Sequence, residues 1–393
     1  MTEAIEQITV LKSPLNEMHV RLAATMIERD GWSVPESYGD TLFEYAAVRE
    51  RGAGLIDISP RGRILVSGTE AVQFLNGLIT NDMKTLAENS WMPAVFPNVQ
   101  GRLIASARVA RFEDLGTDKN VCPTFLIDTE AATHQRVLKT IERFTLAGDF
   151  HVTDVTSQTA MMSVQGKKSA DIVRAVLGDA AAGIAPNRAA KIEYPQTNGS
   201  SGATAAATDG VTVMRATHTG EDGFDFVVKA DQAGSLWEAL QKAGARPVGY
   251  EALEILRIEA ALPRYGVDMD ETNVVTETAL DDAVSYTKGC YVGQEIIARI
   301  KYRGHVARKL SGVLCERAVK VEVGAAIKSA DDKEVGRVTS VVYSPHLGCT
   351  IALGYLKYDY LAAGTSVKIT CGHDEFSAQV TELPFVRGSW RNE

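Results

Sequence analysis

The feature that most constrains this chain is a change of pattern near Lys309. Before it, apolar residues recur at strand spacing and helix spacing in turn. After it only short β-type runs remain, separated by Gly, Pro and Asp-Asp turns: Leu310–Cys315, Val335–Val342, Ile351–Leu356, Val367–Thr370 and Phe376–Val380. Short strands at such spacing predict a small antiparallel β-barrel. The strand-and-helix alternation before it predicts α+β lobes. A length of 393 residues exceeds what one hydrophobic core fills and fits two or three domains. The expected organisation is a body over residues 20–304 made of two α+β lobes, followed by a barrel domain over 305–388.

Within the body, Asp40–Arg51 reads as a helix turning Leu42, Tyr45, Ala46 and Val48 to a core, and Arg63–Ser67 as a strand. Thr69 reads as the cap of a helix that buries Val72, Leu75 and Leu78. Phe96–Phe112 reads as a hairpin turning at Asn98–Gly101, and Glu130–Phe144 as an amphipathic helix. Asp231 caps a predicted helix to Ala243, and Tyr250–Ala261 forms another, stopped ahead of Pro263. Pro195–Gly210 has almost no large side chains and reads as a flexible surface excursion.

Composition sets further bounds. The hydrophobic share of 45% and charged share of 23% are those of a globular protein. No apolar run approaches the ~18 residues of a membrane helix, so no membrane partner is expected. The acidic start lacks the basic and apolar segments of a secretory signal. Five scattered cysteines, an odd number without a C-x-x-C pair, predict a reducing compartment, the cytoplasm. A net charge of −9 opposes non-specific nucleic-acid binding. One local exception is Arg299–Lys309, with five Lys or Arg, His305 and no acid. It reads as a solvated face or as a basic rim for an anionic tail or an acidic partner.

The densest chemistry lies in Lys288-Gly289-Cys290-Tyr291-Val292-Gly293-Gln294-Glu295. A helical pattern follows at once through Ile296, Ile297 and Ile300, with Glu295 and Arg299 one turn apart. Cys290 therefore stands just ahead of a helix N-terminus, where free amides and the dipole favour a thiolate. It reads either as a reactive thiol on a glycine-shaped loop or as an inert buried cysteine. His346, Cys349, Cys371 and His373 together carry four N or S ligands, but their spacing matches no zinc pattern and buried apolar cysteines are the simpler reading.

Lys288–Glu295, continuing through Arg299 and Lys301-Tyr302-Arg303-Gly304, resembles the signature of the YgfZ-type folate-binding proteins. These are relatives of the glycine-cleavage aminomethyltransferase (GcvT, or T-protein) that act in iron–sulfur cluster assembly or repair. Gly31–Pro35 and Gly54–Ser59 resemble the same superfamily's entry segment. The resemblance implies a GcvT-like, multi-lobed α+β body with a C-terminal antiparallel β-barrel, packed around an opening that holds tetrahydrofolate or a one-carbon derivative. It further implies that Glu221, in Thr219–Phe224, and Arg257, in Leu256–Glu259, hold the pterin, with Gln294 and Arg299 also at the ligand. Cys290 is then a nucleophilic or redox-active thiol at the cavity mouth, its pKa depressed by Lys288, and iron–sulfur assembly or client proteins are the implied partners. Read without the resemblance, Glu221-Asp222-Gly223 is an ordinary turn and Arg257 pairs with Glu254 or Glu259.

Departures from the aminomethyltransferase pattern weigh on function. The G-G-x-x-D-D segment of that family corresponds to Gly101–Ser106, so both carboxylates are missing, and one-carbon transfer needs a positioned acid–base group. His218 stands where the family has tyrosine; Ser106 and His218 are the candidates to replace the lost groups. The alternative function is a folate-dependent aminomethyltransferase or methyl-transferring demethylase.

Overall fold

The computed structural model describes residues 10–112, 123–143, 145, 148–194 and 210–391. Cys122, Phe144 and all of the predicted surface excursion but Gly210 lie outside the described residues. Two sheets organise the body. One runs in the order Ala189–Glu193, Gly210–Arg215, Gly223–Lys229, Thr159–Gln165, Gly54–Asp57 and Arg246–Pro247. The other runs Ser90–Pro97, Leu103–Phe112, Thr124–Thr129, Gly62–Ser67 and His151–Asp154. A smaller sheet pairs Trp32–Ser37 with Leu11–Lys12 and Thr25–Arg29.

Side chains alternate across each strand, and the alternation explains how the layers stack. On Thr159–Gln165, Ala160, Met162 and Val164 join Leu55, Phe224, Phe226 and Trp237 in the core beneath the helices Ser169–Leu177 and Ala233–Lys242. Met161 takes the opposite face with Ile56, Met214 and Val227, against Ala110, Phe112 and Leu126 of the second sheet. The second sheet's other face is closed by the helices Ala71–Leu78 and His134–Glu142 through Leu75, Val137 and Ile141. The sheets thus share an inner apolar layer. Two residues along from it, at the same parity, come Asp225, Arg108 and Asp128. Charge replaces hydrocarbon there, and that boundary positions the site.

The barrel is closed and antiparallel, in the order Arg308–Cys315, Cys349–Lys357, Glu334–Ser344, Ala326–Ser329, Ser366–Cys371 and Asp374–Thr381. Five strands match the sequence reading; Ala326–Ser329, four residues long, was too short to stand out. The helix Tyr250–Glu259 joins barrel to body: Leu256 enters the intersheet core, while Ile258 packs on Leu310, Ile351 and Leu353 of the barrel. It ends at Glu259 rather than Ala261, which has left-handed φ of 57°.

Local expectations need three corrections. Asp40 caps its helix through Leu42 N and Phe43 N, but Leu42 is 57% exposed, and only Tyr45 and Val48 of the expected face are fully buried. After Ala46 the helix widens into a π turn, Ala47–Arg51, which carries Arg49 inward. Thr69 does not cap; its hydroxyl donates to Asp149 at 2.7 Å. Asp231 lies in a 3-10 turn whose following helix has no side-chain cap.

The tail returns to the body, with Val386 N donating to Glu259 O and Trp390 N to Gly220 O. A Cβ on Gly388 would stand 2.2 Å from Gly220 O. Gly388→Ala should therefore destabilise the protein by about 1–3 kcal/mol and hasten proteolysis of the C-terminal ten or so residues, measured by limited digestion and mass spectrometry.

Candidate functional site

A partly open cavity of about 130 Å³ lies where the inner faces of the two sheets meet the helix Tyr250–Glu259 and the turn after it. Its wall includes Arg29, Arg61, Glu130, His218, Tyr250, Glu254, Arg257 and Arg264. Behind the wall, charges are relayed through buried pairs. His218 Nε2 lies 2.9 Å from Asp225 Oδ2, and Arg108 Nη1 lies 2.7 Å from the same oxygen. Arg108 Nε donates to Asp128 Oδ2 at 2.6 Å, Arg61 Nε to Asp128 Oδ1 at 2.6 Å, and Arg61 Nη1 to Glu130 at 2.8 Å. Burial pushes the Asp225 carboxyl up, but the opposing charges of His218 and Arg108 and their hydrogen bonds outweigh it, leaving it well below the usual carboxylate range. Asp128 is lowered in the same way by Arg108 and Arg61. Tyr250 is raised by burial and by Asp57, and stays a neutral phenol.

Of the candidate residues Glu221, Arg257, Lys288, Cys290, Gln294 and Arg299, Arg257 alone lines this cavity, together with His218, one of the two candidates to replace the lost groups. Its Nη1 pairs with Asp268 at 2.5 Å, its Nη2 pairs with Glu254 and donates to Ser340 Oγ at 2.6 Å, and Asp268 accepts from Thr339 and Ser340 of the barrel. The guanidinium therefore fastens barrel to body as well as facing the cavity. Its Nε is buried without a protein partner among the described residues. The pairing with Glu254 is the one expected from the sequence without any resemblance.

Glu221 is 1% exposed and fully occupied: Oε1 accepts from Arg49 Nη1 at 2.6 Å, and Oε2 accepts from Ser389 N and Oγ. Arg49 also holds Glu259 at 2.8 Å, which accepts from Tyr45 and from Ser344 of the barrel. In this structure Glu221 locks the C-terminal segment onto the body.

Lys288 has a structural task too. Its Nζ donates to the carbonyls of Asn76, Ile79 and Asn81 at 2.6–2.9 Å, at the end of the helix Ala71–Leu78. Burial, opposed by Asp82, pushes it down to about 8. The acidifying role expected of Lys288 toward Cys290 has no contact behind it, because the ammonium is directed into these carbonyls. Cys290 itself is exposed, ahead of the helix Gln294–Arg303, whose N-cap Gly293 takes left-handed φ of 76° with Asn98 O 2.3 Å from where a Cβ would stand. Gln294 reaches Lys288 O at 3.4 Å, and Arg299 is exposed. None of the residues 288–295 lines the cavity.

Ala105, where the family pattern expects a carboxylate, is fully buried among apolar residues on the helix-covered face of its sheet. A larger groove of about 420 Å³, bordered by Phe43, Arg51, Lys168 and Arg246, has exposed, solvated cations and no buried titratable group. The smaller cavity carries the chemistry. Asp225, Arg108, Asp128 and Arg61 escaped sequence reasoning; for the first three the available signal was charge at inward-facing strand positions, and Arg61 stands just ahead of the strand Gly62–Ser67. Among the described residues no cluster of His, Cys, Asp or Glu is arranged to hold a metal.

The comparisons with known proteins coincide with this architecture. Residues 15–288 match the GCVT N-terminal domain, and residues 308–387 match the glycine cleavage T-protein C-terminal barrel domain. The chain belongs to the GCVT family. Among its relatives are the aminomethyltransferases of Symbiobacterium thermophilum, 30% identical with 97% of this chain and 98% of the relative covered, and of Thermotoga neapolitana, 30% identical with 97% and 99% covered. The crystal structure of the glycine cleavage system aminomethyltransferase T from Bartonella henselae superposes with a TM-score of 0.83 at 23% identity, over 96% of this chain and 98% of that one; this likeness speaks to the fold. GCVT membership bears out the α+β body with its C-terminal barrel.

Two predictions test the assignments. Asp225→Asn should cost about 3 kcal/mol at neutral pH, since it leaves the buried Arg108 guanidinium short of a countercharge. Because the folded Asp225 and Asp128 carboxyls lie below their unfolded value of about 3.9, their stabilisation is present above that pH and lost as pH falls through the lowered folded values. Thermal melts from pH 7 to 3 should show this acid loss, and the variant a shallower one. Lys288→Met should destabilise by roughly 2–4 kcal/mol by orphaning three carbonyls, whereas Cys290→Ser should stay within about 0.5 kcal/mol, both read by denaturant titration.

Proposed function

We propose that this protein binds tetrahydrofolate in the cavity at the sheet junction and moves a one-carbon unit to or from it, as a cytoplasmic aminomethyltransferase-like or methyl-transferring enzyme. The observation that carries the reading is the cavity wall itself, in a chain whose whole length is similar to aminomethyltransferases. A pterin head is planar, with both donors and acceptors on its edge. Tyr250 offers a ring to stack on, already faced by Arg29 at 5.1 Å. Glu254 and Glu130 are acceptors for ring N–H groups, and the unpartnered Nε of Arg257 is a buried donor lacking an acceptor, which a ring oxygen or nitrogen would supply. The volume is below the roughly 300–1,000 Å³ of pockets that enclose a whole ligand, so it suits the bicyclic head only. When bound, tetrahydrofolate supplies the amine nitrogens that carry the one-carbon unit. The protein's residues bind and orient the ring and hold protons at its edge.

Glu221, Gln294 and Arg299 take no part in this reading as first contacts. Glu221 acts through the tail it holds, and the basic stretch around Arg299 offers attraction for an anionic folate tail at longer range. The division into a body over 20–304 and a barrel over 305–388 is retained as a proposal, with Arg257, Glu259 and Glu221 as the ties between them.

A second reading rests on a different observation. Cys290 is an exposed thiol on a pinned loop outside the cavity, and Ala105 leaves the family's carboxylate position empty of charge. These features favour the YgfZ-type role, in which the folate-bound protein supports iron–sulfur cluster assembly or repair through Cys290 and meets assembly or client proteins there.

Calorimetry with tetrahydrofolate tests what both readings share: saturable binding is expected, weakened by about 1–3 kcal/mol in Arg257→Ala, and an absence of binding heat would end both. Incubation of 5,10-methylene-tetrahydrofolate with ammonia and dihydrolipoamide separates them. Enzyme-dependent release of tetrahydrofolate, unaffected by Cys290→Ser, supports transfer; no turnover, together with loss of cellular iron–sulfur enzyme activity in Cys290→Ser, supports the second.

A further inference from the structure

We propose that His218, held by Asp225, is the proton-transfer residue of this cavity, in place of the carboxylate that the chain lacks. The proposal deepens the transfer reading above and rests on it.

Two carboxylates line the cavity, and both are ion-paired with guanidinium groups. Glu254 is shared by Arg29 at 3.0 Å, Arg257 and Arg264 at 3.6 Å, and Glu130 is paired with Arg61 at 2.8 Å. A carboxylate so paired is a poor proton acceptor, because protonation would abandon the charge pairing. Tyr250 is kept neutral by burial, and the guanidinium groups do not exchange protons near neutral pH. His218 differs from all of them. Its ring lines the cavity, its side chain is 17% exposed, and its Nε2 is taken by Asp225, itself 0% exposed. Its backbone N–H is fixed by Gln165 Oε1 at 2.9 Å. Among the described residues Nδ1 has no protein partner.

The tautomer follows from charge. The Asp225 carboxylate also accepts from Arg108 and can only accept, so Nε2 carries the proton. Nδ1 is then a free acceptor on the one imidazole of the wall. This is a base oriented by a buried acid, and the acid is anchored from behind by Arg108 and Asp128. Forming a carbon–nitrogen bond at a secondary amine leaves that nitrogen with a surplus proton. The electron pair of the breaking carbon–heteroatom bond departs with the leaving heteroatom. His218 Nδ1 accepts the amine proton and returns it to the departing atom, so neither proton nor charge is left over. Asp225 is the positioning residue.

The test has two arms. In the free protein labelled with ¹⁵N-histidine, NMR should show His218 as the Nε2–H tautomer near pH 8, and a mixed state in Asp225→Asn; a dominant Nδ1–H tautomer in the wild type overturns the proposal. In the reverse-transfer assay, His218→Gln should bind tetrahydrofolate within about threefold of wild type yet lose at least about 100-fold in rate, in the range for general acid–base groups. A His218→Gln variant as fast as an active wild type overturns the proposal alone. A wild type that shows no transfer removes the functional reading, and this proposal with it.

Discussion

The structure depends on one buried guanidinium placed between two sheets. Arg108 extends from the second sheet into the layer it shares with the first, pairs with Asp128 of its own sheet, and crosses to Asp225 of the other. Uncompensated, such a charge would cost several kcal/mol to bury. It is tolerated because both neighbouring carboxylates are equally buried and hydrogen-bonded, and Trp91 covers the guanidinium at 5.4 Å. The pairing fixes the spacing and register of the sheets at the point where the hydrocarbon core ends, and so holds the cavity open in a defined shape. His218 owes its orientation to the same arrangement.

A second set of charges ties the barrel to the body. Arg49, brought inward by a π turn, joins Glu221 and Glu259, while Ser344 from the barrel and Ser389 from the tail complete the acceptor valences. Arg257 does the same through Asp268 and Ser340. The barrel therefore helps to complete the cavity wall: Arg257, which lines the cavity, is held by a barrel hydroxyl. Such connections give Glu221 and Arg257 partners within the chain itself. A buried charged residue in a recurring motif has the same sequence signature whether it holds a ligand or another part of the chain.

The cysteine motif illustrates the same limit. Lys288 and the glycines shape a loop against the end of the helix Ala71–Leu78 and the turn Asn98–Gly101, with Gly293 confined by the Asn98 carbonyl. Most of that motif is backbone architecture, and what it presents is one exposed thiol away from the cavity. The loop and the cavity thus differ in chemistry: an exposed thiol on one, an imidazole–carboxylate pair in the other.

The sequence by itself determined the α+β body, the all-β C-terminal part, most helices and strands, and the superfamily, because these rest on periodicity, turn residues and contiguous motifs, all of them local. It also offered Ser106 and His218 as candidates to replace a missing group. Only the tertiary structure decided that Asp225, Arg108, Asp128 and Arg61 form one relay, that Glu221 and Lys288 are occupied by the protein itself, and that Cys290 stands apart from the cavity. The physical reason is distance along the chain. Asp225 and Arg108 meet across two sheets, Glu221 meets Ser389 of the C-terminal tail, and Lys288 reaches carbonyls some two hundred positions earlier. A charge's partner sets its role, and no local pattern records which partner folding brings to it.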